Sequence, residues 1–241
     1  MPNWCFNEIR ASEKVLKTIF DENTKQISFQ KIIPMPDSLY VTSGSYINNA
    51  IYYTLLQMNQ FKRMDTIRKL SIKNRDLLKS ILNVFDKDKT FEENYKKLSD
   101  LSKKYKPNDE EKKLGIKTFR QLGQTYINNA LNYGYTDWYG WRYANWGTKW
   151  DACDTCGEPK EGTITFMTAW NPPEKIVEKL ISNFPEENIE WYYEEPGMDF
   201  AGTYSSNGSG GYVDIPCEVP NYGEDDEIEE WIGGKIYGTI L

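Results

Sequence analysis

Apolar and polar positions in the first 36 residues follow two different periods. Residues 4–9 and 27–33 alternate or cluster as strands do, whereas the apolar residues within 15–20 are spaced as on one face of a helix. A period of two residues indicates a strand and a period near 3.6 indicates a helix. This part of the chain is therefore predicted to form a strand, a helix and a second strand.

The pattern becomes helical from about residue 46 to residue 134. Thr90 and Glu93 have the spacing of a capping pair, and Gly134 stands where a helix would end. One apolar stripe comprises Ile67, Leu70, Leu77, Leu78, Ile81 and Phe85. We expect an all-helical insertion over residues 37–134.

Strand patterns return after residue 135. Residues 163–170 and 189–193 read as strands on either side of a helix, and residues 200–204 and 212–215 read as a hairpin joined by a glycine-rich turn. Together with residues 1–36, this order predicts an α+β fold, a ferredoxin-like split βαβ antiparallel sheet built from residues 1–36 and 135–241. In that topology the first strand is expected to neighbour the last.

Composition limits the chemistry that is available. The chain has 241 residues, a formal net charge of −7 and no histidine. Without histidine, Ser-His-Asp and Cys-His catalysis and His-ligated metal sites are excluded. The start of the chain does not resemble a signal peptide and no apolar run is long enough to span a membrane, so a cytoplasmic protein without a membrane partner is expected.

Charge is distributed unevenly. Residues 58–120 contain 18 basic and 10 acidic side chains, whereas residues 186–241 contain one basic and 14 acidic side chains. The basic helices could bind nucleic acid or could simply present a solvated face. The acidic end could dock on a basic protein groove or could be a solubilising tail. Its candidate binding residues are Glu224, Asp225, Asp226, Glu227, Glu229, Glu230 and Trp231.

The four cysteines suggest one metal site. Cys153 and Cys156 have the Cys-x-x-Cys spacing of a zinc knuckle, and Cys5 and Cys217 could complete four ligands if the first and last strands are neighbours. The alternative is a pair of reduced cysteines in a turn, with no cofactor. Both interpretations remain open at this point.

An aromatic-rich segment follows the helices. Trp138, Tyr139, Trp141, Tyr143, Trp146 and Trp150 are interleaved with Arg142 and Lys149. Such a segment can stack single-stranded nucleic acid bases, or it can pack as part of the core.

A group of carboxylates offers a third chemistry. Glu190, Glu194, Glu195 and Asp199 lie near predicted strand ends, and paired carboxylates can hydrolyse glycosidic bonds. The alternative is a solvated strand face, and no catalytic residue is assigned.

Five phrases of the sequence resemble the YubB ferredoxin-like family of phage and plasmid proteins. They are residues 1–5 (MPNWC), 33–36 (IPMP), 145–150 (NWGTKW), 168–173 (TAWNPP) and 193–202 (YEEPGMDFAG). The resemblance covers residues 1–36 and about 135–205. It implies the ferredoxin-like topology and an accessory protein of a mobile element acting inside a bacterium, and it carries no catalytic residues.

These observations favour a non-enzymatic protein that binds and modulates a host protein, such as a defence complex, through its acidic surface. The alternatives are nucleic-acid binding through the basic helices and the aromatic segment, and a carboxylate-based hydrolase. The sequence does not determine the oligomeric state.

Overall fold

A computed structural model describes residues 3–217 and Val219. By contacts, the chain divides into a sheet unit, Met1–Pro34 with Arg142–Leu241, and a helical unit, Met35–Trp141. The sequence-based boundaries fall instead between residues 36 and 37 and between 134 and 135. The elements in chain order are β1 (Trp4–Arg10), α1 (Glu13–Ile19), β2 (Phe20–Asp21), β3 (Gln26–Ile27), α2 (Tyr46–Leu56), α3 (Gln60–Lys73), α4 (Arg75–Leu82), α5 (Phe91–Lys104), α6 (Asp109–Lys113), α7 (Phe119–Tyr133), α8 (Trp138–Trp146), β4 (Cys153–Cys156), β5 (Thr163–Ala169), α9 (Glu174–Asn183), β6 (Glu190–Glu195), β7 (Phe200–Ser206) and β8 (Tyr212–Cys217).

The sheet unit has the predicted ferredoxin-like α+β fold. Its six strands are ordered β4-β5-β1-β6-β7-β8, and each neighbouring pair is antiparallel. The central strand β1 is buried over most of its length. Helix α9 connects β5 to β6 and buries the apolar face that the sequence predicted, with Ile176, Val177, Leu180 and Ile181 at 1% exposure or less. The β7–β8 hairpin is confirmed.

The predicted strand over residues 27–33 is wrong. The chain pairs only through Gln26 and Ile27 in a small two-stranded sheet and then forms a single 3₁₀ turn, Phe29–Lys31. Asp151 explains the turn, because its carboxylate accepts hydrogen bonds from the Phe29 amide at 2.7 Å and from Ser28 Oγ at 3.0 Å. The Asp151 carboxylate thus accepts a backbone hydrogen bond that a neighbouring strand would otherwise accept. The strand that pairs with β5 on its other side is β4.

The helical unit is built around the close approach of α2 and α7. Gly123 lies against Ala50 and Thr54, and a Cβ at this position would overlap the Ala50 carbonyl oxygen. Fully buried residues from both helices, including Ala50, Ile51, Leu122 and Tyr126, form its core. The predicted capping pair of Thr90 and Glu93 is present, and Gly134 ends α7 in the left-handed conformation. Over residues 3–217, none of the helices is both long and apolar enough to cross a membrane.

Candidate binding cleft

An open cleft of about 380 Å³ lies on the sheet unit, where β6, β7 and β8 meet the start of α9. This volume is within the range of sites that hold small ligands or single side chains. The lining residues are Gly147, Asn171, Pro172, Glu174, Tyr193, Phe200, Ala201, Tyr204 and Pro216. Lys and Arg are absent from these residues, so the described walls of the cleft carry acidic but no basic charge.

The aromatic wall depends on one glycine. Tyr193 on β6 lies directly opposite Gly202 on β7, and Gly202 lies opposite Pro216 on β8. A Cβ on Gly202 would overlap the Oη and Cζ atoms of Tyr193. Because side chains directly opposite each other point to the same face of a sheet, only a residue without a side chain lets the Tyr193 ring lie across β7.

Three aromatic rings line the cleft. The centroids of Tyr193 and Tyr204 are 4.7 Å apart with an interplanar angle of 31°, and Phe200 lies 6.2 Å from Tyr193. Tyr212, behind Tyr204, meets it edge-on at 5.2 Å. Aromatic faces carry partial negative charge, so these rings suit a cation better than an anion.

Two carboxylates hold the tyrosine hydroxyls. Tyr193 donates to Asp214 at 2.8 Å, and Tyr212 donates to Glu174 at 2.7 Å. Burial raises the pKa of both tyrosines, and the hydrogen bonds to the carboxylates raise it further. The hydroxyl groups therefore remain protonated donors at neutral pH. The nearest lysine on α9, Lys175, pairs with Glu178 at 2.9 Å.

The structure places residues from the five phrases close to one another. Three of them, 145–150, 168–173 and 193–202, each contribute residues to the cleft. The remaining two pack on the first of these: Trp4 lies 6.1 Å from Trp150, and the Trp146 indole donates to the Ile33 carbonyl at 2.9 Å. Residues from all five phrases therefore lie in the sheet unit, in or beside the parts that form the cleft.

Two rings of the aromatic segment are buried in the described structure. Trp146 is fully buried and Trp141 is 7% exposed, so their rings are not open stacking platforms. The Arg142 guanidinium lies 4.8 Å from the Trp146 ring centroid, and Lys149 lies 4.7 Å from that of Trp150. Of the two interpretations, the geometry of these rings favours packing.

The structure does not assemble the predicted four-cysteine zinc site. Cys153 and Cys156 are on the edge strand β4, Cys5 is on the central strand β1, and Cys217 is on β8 at the opposite edge. The premise that the first strand neighbours the last is wrong in the described sheet, because β6 and β7 lie between β1 and β8. Within residues 3–217, no group of three or more Cys, Asp or Glu side chains is placed to hold a metal ion. Burial raises the pKa of Cys153 to about 12, which also disfavours a thiolate ligand.

The carboxylates considered for hydrolysis do not converge. Glu194 and Glu195 are both 1% exposed, but they are adjacent on β6 and point to opposite faces of the sheet. Glu190 and Glu194 share a face, yet four residues of strand separate them by roughly 13 Å, more than glycosidase pairs require. Asp199 is exposed in the turn before β7. Neither Glu194 nor Asp199 lines the cleft.

The acidic residues Glu224, Asp225, Asp226, Glu227, Glu229, Glu230 and Trp231 lie outside the described residues. The phrase at residues 193–202 contains Tyr193 and Phe200, but no motif in the sequence marks Tyr204, Glu174 or Asp214 as site residues. The alternation along β7 and β8 marks Tyr204 and Asp214 as members of strands. Only the register, in which Tyr204 lies opposite Asp214, connects them to the cleft.

Residues 145–230 match the model of a family described as the ferredoxin-like domain in Api92-like protein. The match includes every residue named above as lining the cleft. A search of curated proteins finds no match. Among solved structures, the chain is similar to the crystal structure of a protein api92 from Yersinia pseudotuberculosis, with 11% identity, a TM-score of 0.39, and coverage of 92% of this chain and 99% of that chain. The family description mentions no enzymatic activity.

Proposed function

We propose that this protein is a non-enzymatic binding protein that captures a basic host protein through an acidic surface of its sheet unit. The observation that carries the proposal is the cleft. Aromatic side chains and the Glu174 carboxylate line it, and its described lining contains no basic residue. Complementary charge speeds association and selects partners, whereas buried aromatic contacts supply affinity.

The acidic residues 224–231 extend this proposal beyond the described part of the chain. Six carboxylates in this segment flank Ile228 and Trp231. A basic partner would meet these carboxylates in addition to those of the cleft. Apolar anchors beside acidic groups are the composition expected of such a contact.

The resemblance to the YubB family supports a setting for this function. We propose an accessory protein of a phage or plasmid that acts in the cytoplasm of its bacterial host, with a defence complex as the partner it modulates. The match to the ferredoxin-like domain supports the fold of the sheet unit. The identity of the partner has to come from experiment.

Affinity capture from a bacterial lysate tests the proposal. The wild-type 241-residue chain is compared with Glu174→Gln/Asp214→Asn and with a variant in which the six carboxylates of residues 224–230 are neutralised. Asp76→Asn/Glu92→Gln in the helical unit is the control that matches the first variant in charge. We expect one identified basic protein to bind the wild type and the control about tenfold more tightly than the two acidic-surface variants at about 50 mM salt. Failure to recover such a protein, or equal binding by all four proteins, would contradict the proposal.

Nucleic-acid binding is the second candidate, and α3 supplies the observation that favours it. Phe61, Met64 and Ile72 are 90%, 61% and 73% exposed on one side of this helix. The helix also contains Lys62, Arg63, Arg68, Lys69 and Lys73 against a single acidic residue, Asp65. Exposed apolar groups among basic side chains are suited to an anionic partner.

Filter binding distinguishes this candidate from the first. DNA or RNA retention that is tight at about 50 mM salt and lost at about 300 mM salt would support it. Phe61→Ser, Lys69→Gln and Lys73→Gln would then weaken retention, whereas Lys14→Gln on α1 would not. Retention that is equally weak at both salt concentrations would contradict it.

A further inference from the structure

We propose that the cleft formed by Tyr193, Phe200, Tyr204 and Glu174 binds one positively charged side chain, Lys or Arg, presented by the partner protein. This inference rests on the proposed function, because it names the group that a basic partner inserts. The proposed function and this inference both concern the same cleft. The experiment below distinguishes the failure of one from the failure of the other.

The walls of the cleft have the composition of a cation site. The ring centroid of Tyr193 lies 4.7 Å from that of Tyr204 and 6.2 Å from that of Phe200. A cation near an aromatic face is attracted to the negative face of the ring, and the attraction increases when water is excluded. Tyr193 and Tyr204 are only 7% and 5% exposed, so they form the buried floor of the cleft, and half-buried Phe200 is the ring that a cation can reach.

Two carboxylates beside the rings add electrostatic attraction for a cation. Glu174 is exposed at the cleft, where it accepts the Tyr212 hydroxyl at 2.7 Å, and Asp214 accepts the Tyr193 hydroxyl at 2.8 Å. Both hydrogen bonds fix the carboxylates beside the rings. Since Lys175 pairs with Glu178, the lysine that follows Glu174 is directed to a different carboxylate.

The size of the cleft agrees with a side chain as the ligand. About 380 Å³ is enough for the alkyl stem and charged head of Lys or Arg. The stem would pack on Pro172 and Pro216, which also line the cleft, while the head meets the aromatic rings and Glu174. An anionic ligand is disfavoured, because the described lining contains no Lys or Arg to pair with it.

The backbone keeps the cleft open. Gly147 has φ of +86°, and a Cβ there would lie 3.1 Å from the Glu174 amide nitrogen and 3.3 Å from the Pro172 carbonyl oxygen. Gly202 leaves space for Tyr193 in the same way. Gly147 thus allows the chain to enter α9 close by, and Gly202 leaves space for the aromatic wall. The two glycines belong to the phrases at residues 145–150 and 193–202.

Titration by NMR of the ¹⁵N-labelled full chain tests the inference. The probes are N-acetyl-lysine methylamide and N-acetyl-arginine methylamide, with tert-butanol as the neutral apolar control and acetate as the anionic control. We expect the two cationic probes to shift Gly147, Tyr193 and Ala201 amide resonances saturably. We expect Glu174→Gln or Phe200→Ala to weaken that binding about tenfold, while Glu13→Gln, which removes an exposed carboxylate on α1, leaves it unchanged.

Two results would overturn the inference. One is equal binding of tert-butanol and the cationic probes, and the other is no saturable shift with either cationic probe in a folded wild-type protein. If lysate capture succeeds and loses its partner on charge neutralisation while the probes do not bind, this inference fails and the proposed function stands. If the probes bind at the cleft but no basic protein is captured, the cation site stands and the proposed function fails.

Discussion

The indole nitrogen of Trp191 donates a hydrogen bond to Oδ1 of Asn7 at 3.0 Å, and both side chains are fully buried. The Asn7 amide nitrogen donates in turn to Thr168 Oγ1 at 2.9 Å. Three neighbouring strands, β5, β1 and β6, are thereby joined by polar side chains inside the apolar core. Buried polar groups are tolerated when they are paired in this way.

Asn7→Leu should destabilise the protein by about 1–3 kcal/mol, because it leaves the Trp191 N–H without its buried acceptor. Urea unfolding measures the change. In the Asn7→Leu background, Trp191→Phe should recover part of the loss, since it removes the unpaired donor. An unfolding free energy of Asn7→Leu equal to that of the wild type would show that the network contributes no stability.

Gly202→Ala should destabilise the sheet unit by about 1–3 kcal/mol, because the new methyl group overlaps Tyr193. The same variant should lose cation binding in the cleft, since the ring must move. A double-mutant cycle with Tyr193→Leu isolates the contact, and the cost of Gly202→Ala should fall by more than half in that background. Equal costs in both backgrounds would locate the strain elsewhere.

Glu111 should make stability depend on pH. Its side chain is fully buried, and although burial by itself would raise the pKa, hydrogen bonds from Tyr105, Thr42 and Asn108 lower it below the usual value. A lowered folded pKa contributes stability that is fully present above the unfolded value of about 4.3 and is lost as the pH falls through the folded pKa.

Urea unfolding of wild type and Glu111→Gln from about pH 7 down to about pH 3 checks this expectation. We expect the wild type to be more stable by about 1–3 kcal/mol at neutral pH, and the difference should shrink in acid. A difference that stays constant over this range would exclude Glu111 as the titrating group.

The cysteines should differ in reactivity according to their burial. Cys5 is fully buried and burial raises its pKa, so it should resist iodoacetamide in the folded protein, whereas the exposed thiols of Cys156 and Cys217 should react first. Peptide mass spectrometry after brief alkylation measures the order. Unfolding in urea should make Cys5 as reactive as Cys156. Rapid modification of Cys5 without denaturant would contradict its placement in the core.

Local patterns predicted several elements because their causes are local. Helix α5 begins where Thr90 and Glu93 can satisfy each other's backbone donors, and α7 ends at a glycine that accepts a left-handed conformation. The apolar face of α9 follows from its spacing alone. Residues 27–33 show the limit of this reasoning, because their alternation is typical of a strand while the Asp151 carboxylate, more than 100 residues away, draws the chain into a turn.

The amino-acid sequence by itself determined the α+β class, the helical character of residues 46–133 and the absence of imidazole chemistry. Only the tertiary structure decided which strands are neighbours, and with them the cleft. Spacing along one strand shows which side chains share a face. It does not show that Tyr193 lies opposite Gly202, or that β6 and β7 separate Cys5 from Cys217, because register and strand order depend on packing between distant segments.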